Sequence, residues 1–248
     1  MSGQERAHYD RLAGSYDENW AYSPDFIAWM TAQILDLLEI NPGDRVLDLG
    51  CGTGLYSRGL AERAGHVVCA DPSRKMLAQL PAGPEYVPIQ ATAEDIVSGR
   101  VHLHDERLDA ILVKEAIHHV DDPAAVVAGL AKILAPGGRL LVVMLPTTIA
   151  YPLFTAALEL FERLQPDPEV IAALMRDSRL QAEVAYEEFE LSFEKQRYLK
   201  MVQARYMSLL SHFSDAELAA GVTEIDKQYP GDRLNFPDRL AFVLGVRG

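Results

Sequence analysis

The segment Asp48-Leu-Gly50-Cys-Gly52-Thr-Gly54 constrains this chain more than any other. It follows the short apolar run Arg45–Leu49, which reads as a strand, and it opens Gly54–Ala64, which reads as a helix. Three alternating glycines permit a sharp strand-to-helix turn and let a ligand approach main-chain atoms without Cβ interference. The same residues could serve only as a tight turn, so the spacing has to discriminate. A dinucleotide fingerprint is Gly-x-Gly-x-x-Gly with a pyrophosphate at the helix N-terminus. Here the pattern is Gly-x-Gly-x-Gly with Asp48 two residues before the first glycine, and a carboxylate aimed into the loop suits a cationic ligand better than a pyrophosphate. No Gly-Lys-Ser/Thr makes a phosphate-binding P-loop.

The surrounding pattern alternates strand and helix. Asp25 to Ile40 has apolar residues at helical spacing and is stopped by Asn41-Pro42-Gly43-Asp44. His66–Ala70, Glu85–Gln90, Asp109–Val113 and Arg139–Leu145 read as further strands. Ser73–Leu80, with Ser73 as N-cap, and Pro123–Leu134, closed by Pro136-Gly137-Gly138, read as helices between them. Strands separated by helices imply right-handed crossovers and an α/β, doubly wound, mostly parallel sheet. After Leu145 the rhythm changes. Tyr151–Leu164, Pro168–Gln181 and Glu194–Phe213 read as helices, Glu183–Phe193 as a sixth strand, Ser214–Tyr229 as a helix with a capping box, and Leu240–Arg247 as a seventh strand.

The expected organisation is one domain over 1–248. It has an N-terminal lid segment (1–24), a ligand-binding core (25–145), a lid insertion carrying the sixth strand (146–212), and a final helix and strand (213–248). The add-ons are expected to cover the sheet's open edge, where α/β sheets bind ligands.

A net charge of −13 argues against nucleic acid and anionic membranes as partners, because neither surface can release counterions to so acidic a chain. Two cysteines, Cys51 and Cys69, both in apolar stretches, support no disulfide framework and fit a reducing compartment. The first twenty residues are polar, and no apolar run approaches the ~18 residues of a membrane span, so the expectation is a cytoplasmic protein. No metal-ligand motif and no nucleophile elbow occur.

Asp71 ends the second strand in register with the glycine loop, where an acidic side chain can accept hydrogen bonds from both ribose hydroxyls. Further on come Asp71-Pro-Ser-Arg-Lys-Met-Leu77, Ala91-Thr-Ala-Glu-Asp95, Leu108-Asp-Ala-Ile-Leu-Val-Lys-Glu-Ala-Ile-His-His-Val-Asp121 and Leu134-Ala-Pro-Gly-Gly-Arg139. With Val46–Gly54, these segments make residues 40–145 resemble the class I (Rossmann-like) S-adenosylmethionine-dependent methyltransferases, specifically the small-molecule group with a ubiquinone/menaquinone-methyltransferase-like core. Tyr9-Asp-Arg-Leu-Ala-Gly-Ser-Tyr-Asp17 also resembles the N-terminal segment of that group.

The resemblance implies a seven-stranded sheet, S-adenosyl-L-methionine as cofactor and a small-molecule acceptor. It also implies roles by position. Gly50, Cys51 and Gly52 would line the methionine moiety beside Asp48, and Asp71 would take the ribose. Pro72 and Met76 would pack near the adenine with Ala93 and Glu94 at its edge. Val113 and Lys114 would face the methionine part, and Tyr16 would close over it. Thr92 stands where many relatives carry Asp. His118 and His119 follow the fourth strand at the mouth of the site, as packing residues or as a general base. Lys114 and Glu115 are expected to form a surface ion pair or to bind a charged acceptor. Tyr151, Arg205 and Tyr206 in the later insertion are candidates for the acceptor pocket, the arginine because it recognises planar anions. Non-methyl chemistry on the sulfonium and a non-catalytic binding role stay open as alternatives.

Overall fold

The computed structural model describes residues 11, 13, 14, 17, 22–103 and 107–248. Its sheet has seven strands: β1 (Val46–Leu49), β2 (Val67–Asp71), β3 (Tyr86–Gln90), β4 (Leu108–Lys114), β5 (Leu134–Met144), β6 (Leu180–Glu194) and β7 (Arg233–Arg247). They lie in the order β3-β2-β1-β4-β5-β7-β6. β1 through β5 pair in parallel, while β7 runs antiparallel to β5, so the sheet is mixed but mostly parallel, as the alternation predicts. All four residues of β1 are buried, because a parallel strand is covered on both faces. The strand order reverses between β1 and β4, and ligands of such sheets bind beyond the carboxyl ends of the strands at that switch point.

The helices of the first half are α1 (Pro24–Leu38), α2 (Ser57–Ala64), α3 (Arg74–Leu77), α4 (Ala93–Val97) and α5 (Pro123–Ile133). α1 buries Phe26, Met30, Ile34 and Leu38 along one stripe and is capped by Ser23, whose hydroxyl accepts from Phe26 N at 3.1 Å. It ends at Glu39, which turns left-handed at φ +48°. α3 is capped by Ser73 as expected, but it is a single turn rather than a helix reaching Leu80.

The rest of the chain adds α6 (Thr155–Leu164), α7 (Pro168–Asp177), α8 (Lys195–Gln203) and α9 (Asp215–Gln228), the last with the Ser214–Glu217 capping box. The helix expected over Glu194–Phe213 is broken: α8 stops at Gln203, Arg205 adopts φ +57°, and a separate 3₁₀ turn covers Ser208–His212. β7 starts seven residues before the expected Leu240, with Leu234, Phe236 and Asp238 buried alternately.

The chain forms two compact units. The first holds the described residues up to Met144 with Asp167–Ala185 and Ala241–Gly248, and the second holds Leu145–Pro166 and Tyr186–Leu240. Segment 146–212 is therefore not one piece, since α7 belongs to the first unit. The core of the first unit packs Leu47, Val68, Ile111, Val127, Leu140 and Val243, among others. Each such side chain stabilises the fold by roughly 1.5–3 kcal/mol. The second unit is built on aromatic side chains: Phe236 packs against Tyr151, Phe193 and Tyr198, and Phe154 packs edge-on to Phe213.

Candidate active site

The site grows from the carboxyl end of β1. Gly50 takes φ +77°, and its N–H and that of Cys51 both donate to Ala70 O, at 2.8 and 3.1 Å. A Cβ at Gly50 would lie 2.5 Å from the Ala116 Cβ, so only glycine lets the loop run flush against the segment after β4. Gly54 N then donates to Cys51 O at 2.9 Å, closing the turn into α2.

Two carboxylates brace this loop. Asp71, at the end of β2, accepts from Gly52 N at 3.0 Å and from Ser73 N at 2.7 Å, tying the glycine turn to the start of α3. Asp48 is buried within β1 and accepts from the Ser57 hydroxyl at 2.5 Å. Burial pushes its carboxyl up to about 6; the Ser57 hydrogen bond opposes that, the Asp71 charge adds to it, and the Lys114 charge lowers it slightly. A third link comes from the N-terminal segment, where Asp17 accepts from the Thr53 hydroxyl at 2.5 Å.

Two adjoining cavities open here. The larger, about 800 Å³ with its solvent-facing mouth, is lined by Asp71, Pro72, Met76, Ala93, Glu94 and Val113, with the segment Lys114–Ile117, His119 and Val120 completing it. The smaller, about 490 Å³, is lined by Asp48, Cys51, Thr53, Leu55 and Tyr56. Gly50, Gly52, Lys114 and Glu115 line both. Thus all the cofactor candidates named from the sequence line one or both of these adjoining cavities, except Tyr16, which lies outside the described residues.

The far wall of the larger cavity is set by α4, which the sequence reading passed over. Thr92 caps this helix, accepting from Asp95 N at 3.2 Å, while Asp95 accepts from Thr92 N at 3.1 Å. The Thr92-x-x-Asp95 spacing is itself a capping-box signal that could have found it. Burial raises the Glu94 carboxyl, but hydrogen bonds from its own N–H and from Asp121 N outweigh that and hold it below its ordinary value.

His118 and His119 share the 3₁₀ turn Ile117–His119, with ring centroids 4.0 Å apart. His119 lines the larger cavity, whereas the Nδ1 atom of His118 is buried. Lys114 and Glu115 do not lie on an open surface. The Lys114 ammonium sits 4.8 Å from the centre of the Tyr56 ring, and Glu115 takes the left-handed φ of +51°.

Residues 47–142 match a family model described as a methyltransferase domain. An uncharacterised methyltransferase of Mycobacterium bovis is 39% identical over 134 residues, 53% of this chain and 49% of that protein. A ubiquinone biosynthesis O-methyltransferase of Xylella fastidiosa is 34% identical over 157 residues, 57% of this chain and 62% of that protein. The matches thus span about half to three-fifths of these relatives' length. Among solved structures, a putative methyltransferase from an antibiotic biosynthesis pathway of Anabaena variabilis superposes with a TM-score of 0.70 at 18% identity, covering 88% of this chain and 96% of that one. A phosphoethanolamine N-methyltransferase of Haemonchus contortus superposes with a TM-score of 0.62 at 18% identity, over all of this chain and 60% of that one.

Residues 47–142 are a class I S-adenosylmethionine-dependent methyltransferase domain. Among the described residues, both cavities are lined by this methyltransferase domain alone. The three acceptor candidates lie outside it, in the second unit. There the Tyr151 hydroxyl donates to Asp238 at 2.6 Å, and the Tyr206 hydroxyl lies 3.1 Å from that of Tyr198. Burial raises the Tyr206 phenol, the Tyr198 hydrogen bond opposes that, and the Asp238 charge adds to it, so Tyr151 and Tyr206 share one buried polar network. Arg205 faces another way, donating to Phe213 O at 3.1 Å and to Asp215 at 2.7 Å. Among the described residues no group of three or more His, Cys, Asp or Glu side chains converges as a metal site, and no helix is long and apolar enough to cross a membrane.

Proposed function

We propose that the protein transfers the methyl group of S-adenosylmethionine to an O, N or C atom of a small metabolite and releases S-adenosylhomocysteine. The observation that carries this reading is the pair of adjoining cavities hinged on Gly50 and Gly52. Their donor set fits an adenosyl amino acid. Asp71 accepts from Gly52 N and Ser73 N, and because a carboxylate oxygen can accept more than one hydrogen bond it suits a ribose diol. Pro72, Met76 and Val120 offer an apolar slot for a base, with Glu94 and the Ala93 main chain at its edge. Asp48 and Glu115 supply negative charge for the ammonium and the sulfonium. When bound, S-adenosylmethionine supplies an electrophilic methyl group on an excellent leaving group, so orientation of the acceptor carries much of the catalysis.

His119 is the residue we assign to proton removal. Its imidazole faces the larger cavity, and neutral imidazole can take the proton that an acceptor hydroxyl or amine loses as it is methylated. His118 backs the His119 ring and orients it. Incubation of the protein with S-adenosylmethionine and an acceptor panel should form S-adenosylhomocysteine. Formation of methylthioadenosine instead would establish aminocarboxypropyl chemistry and sink the proposal. His119→Ala should lower kcat by about 10²–10⁴-fold while leaving S-adenosylhomocysteine affinity intact. An unchanged kcat would return His119 to a packing role.

A further inference from the structure

Glu94 lines the larger cavity, yet one of its oxygens is committed to the protein: Oε1 accepts the main-chain N–H of Asp121 at 3.2 Å. Asp121 follows directly on His119 and Val120, both of which line the same cavity. One carboxylate therefore stands in the cavity wall and holds the main chain two residues beyond the imidazole assigned to proton removal.

Segment 115–122, which joins β4 to α5, needs such a hold. Its 3₁₀ turn covers Ile117–His119, with His119 N donating to Ala116 O at 3.1 Å and Val120 N to Ile117 O at 3.2 Å. Hydrogen bonds of 3₁₀ type are poorly aligned, so a turn this short leans on tertiary contacts to stay in place. Its entry is fixed by Glu115 N, which donates to Val143 O at 2.8 Å. Its exit is fixed where the Asp122 side chain accepts from Ala125 N at 3.0 Å and starts α5. The Glu94 bond ties the stretch between these anchors to α4.

That helix is itself well seated. The Thr92–Asp95 capping box fixes its start. Its last residue, Val97, lies so close to α5 that a Cβ at Gly129 would overlap the valine side chain. Burial raises the Glu94 carboxyl, but hydrogen bonds from its own N–H, from Asp121 N and from Thr92 outweigh that. The group is thus ionised at neutral pH, and its bond to Asp121 is charge-assisted.

Resting on the assignment of His119 above, we propose that Glu94 is a positioning residue for that imidazole. By accepting the Asp121 N–H it fixes the backbone that presents His119 to the cavity, besides standing at the adenine edge. It does not touch the reacting atoms; it acts through the histidine.

NMR of the full chain, free of ligand and carrying 13C at histidine Cε1, tests this assignment. His119→Gln identifies the His119 signal, and His66 and His212 serve as remote references. Glu94→Ala should move or split the His119 signal while the references stay in place. Glu94→Gln, whose amide oxygen can still accept the N–H, should return the signal towards its wild-type position, which separates the lost bond from the lost charge. Asp121→Pro deletes the donor instead, and the Val120 ψ of 130° suits a residue before proline. Asp121→Ala loses the same side chain but keeps the N–H, so it is the reference for the proline variant. Asp121→Pro should move the His119 signal beyond that reference and retain S-adenosylhomocysteine affinity, because Glu94 is intact. An unmoved signal in Glu94→Ala, or the same signal in Asp121→Pro and Asp121→Ala, overturns the assignment. An unchanged kcat in His119→Ala would overturn proton removal by His119 and this inference with it, even with the NMR result as expected, so the two failures are told apart.

Discussion

Asp48 in the first unit and Asp238 in the second are buried to the same degree, 3% and 2% exposed, yet their surroundings differ in kind. Asp48 borders a cavity and holds one hydroxyl donor, Ser57. Asp238 accepts from the Tyr151 phenol within a cluster of aromatic rings. A buried carboxylate beside open space keeps its charge available to a ligand at a cost in stability. One enclosed by phenols contributes to holding its own unit together. The first unit has strained positions at its cavity, with Gly50 and Glu115 both left-handed. In the second unit the left-handed non-glycine position is Arg205, which serves the chain's own turn between α8 and the Ser208–His212 segment.

The largest expected effect breaks the cavity side of this contrast. Gly50→Ala must take φ +77° with a side chain and place its Cβ 2.5 Å from Ala116, so it should lose roughly 2–4 kcal/mol in urea unfolding. It should also abolish cofactor binding by calorimetry; retention of both properties would show that the loop is slack. Next comes the pH behaviour of Asp48. Unfolded aspartate ionises near pH 3.9. The folded chain holds this proton up to about pH 6, so it binds more protons than the unfolded chain within that window. The associated stability is full below pH ~4 and is lost as pH rises through 6. Asp48→Asn should therefore stabilise the protein by up to roughly 3 kcal/mol at pH 7.5 and by nothing near pH 4, while weakening cofactor binding. Equal gains at both pH values would remove the titration from the account.

In the second unit, Tyr151→Phe leaves Asp238 without this donor and should destabilise by about 1–3 kcal/mol, with S-adenosylhomocysteine affinity unchanged. A fall in acceptor turnover without loss of stability would instead give Tyr151 the acceptor role first expected of it. The smallest effect belongs to Arg205, whose partner Asp215 is 95% exposed. Arg205→Gly relieves the left-handed φ while losing that screened ion pair, and its melting temperature should shift less than that of Arg205→Ala.

Those contrasts also explain what could be read from the sequence. β1 to β4 and their connecting turns were legible because parallel strands are continuous apolar runs punctuated by glycine, proline and aspartate. Asp48, the Gly50–Gly54 loop and Asp71 followed from the same punctuation, and the other cofactor candidates from the resemblance to the methyltransferase family. The break at Arg205 was invisible because Tyr198, Met201 and Val202 before it, and Tyr206, Leu209 and Leu210 after it, preserve an apolar rhythm that a continuous helix would also give. The long reach of β7 was missed because Asn235, Pro237 and Asp238 are residue types common in turns; Asp238 is nonetheless buried and accepts from Tyr151, 87 residues away. Likewise, Tyr56 carries no motif, and the motif that contains Glu115 does not say what that side chain meets. Both reach the site because the turns after β4 and before α2 meet across Gly50 and Gly52. Their roles depend on contacts that sequence spacing does not encode.

The central claim is that the two cavities hold one molecule. A crystal structure with S-adenosylhomocysteine tests it most directly. The expected result is a single ligand with its ribose on Asp71, its base beside Met76 and its amino-acid end beside Lys114 and Asp48. A ligand confined to one cavity, turned end for end, or bound away from the Gly50–Gly52 loop would contradict it.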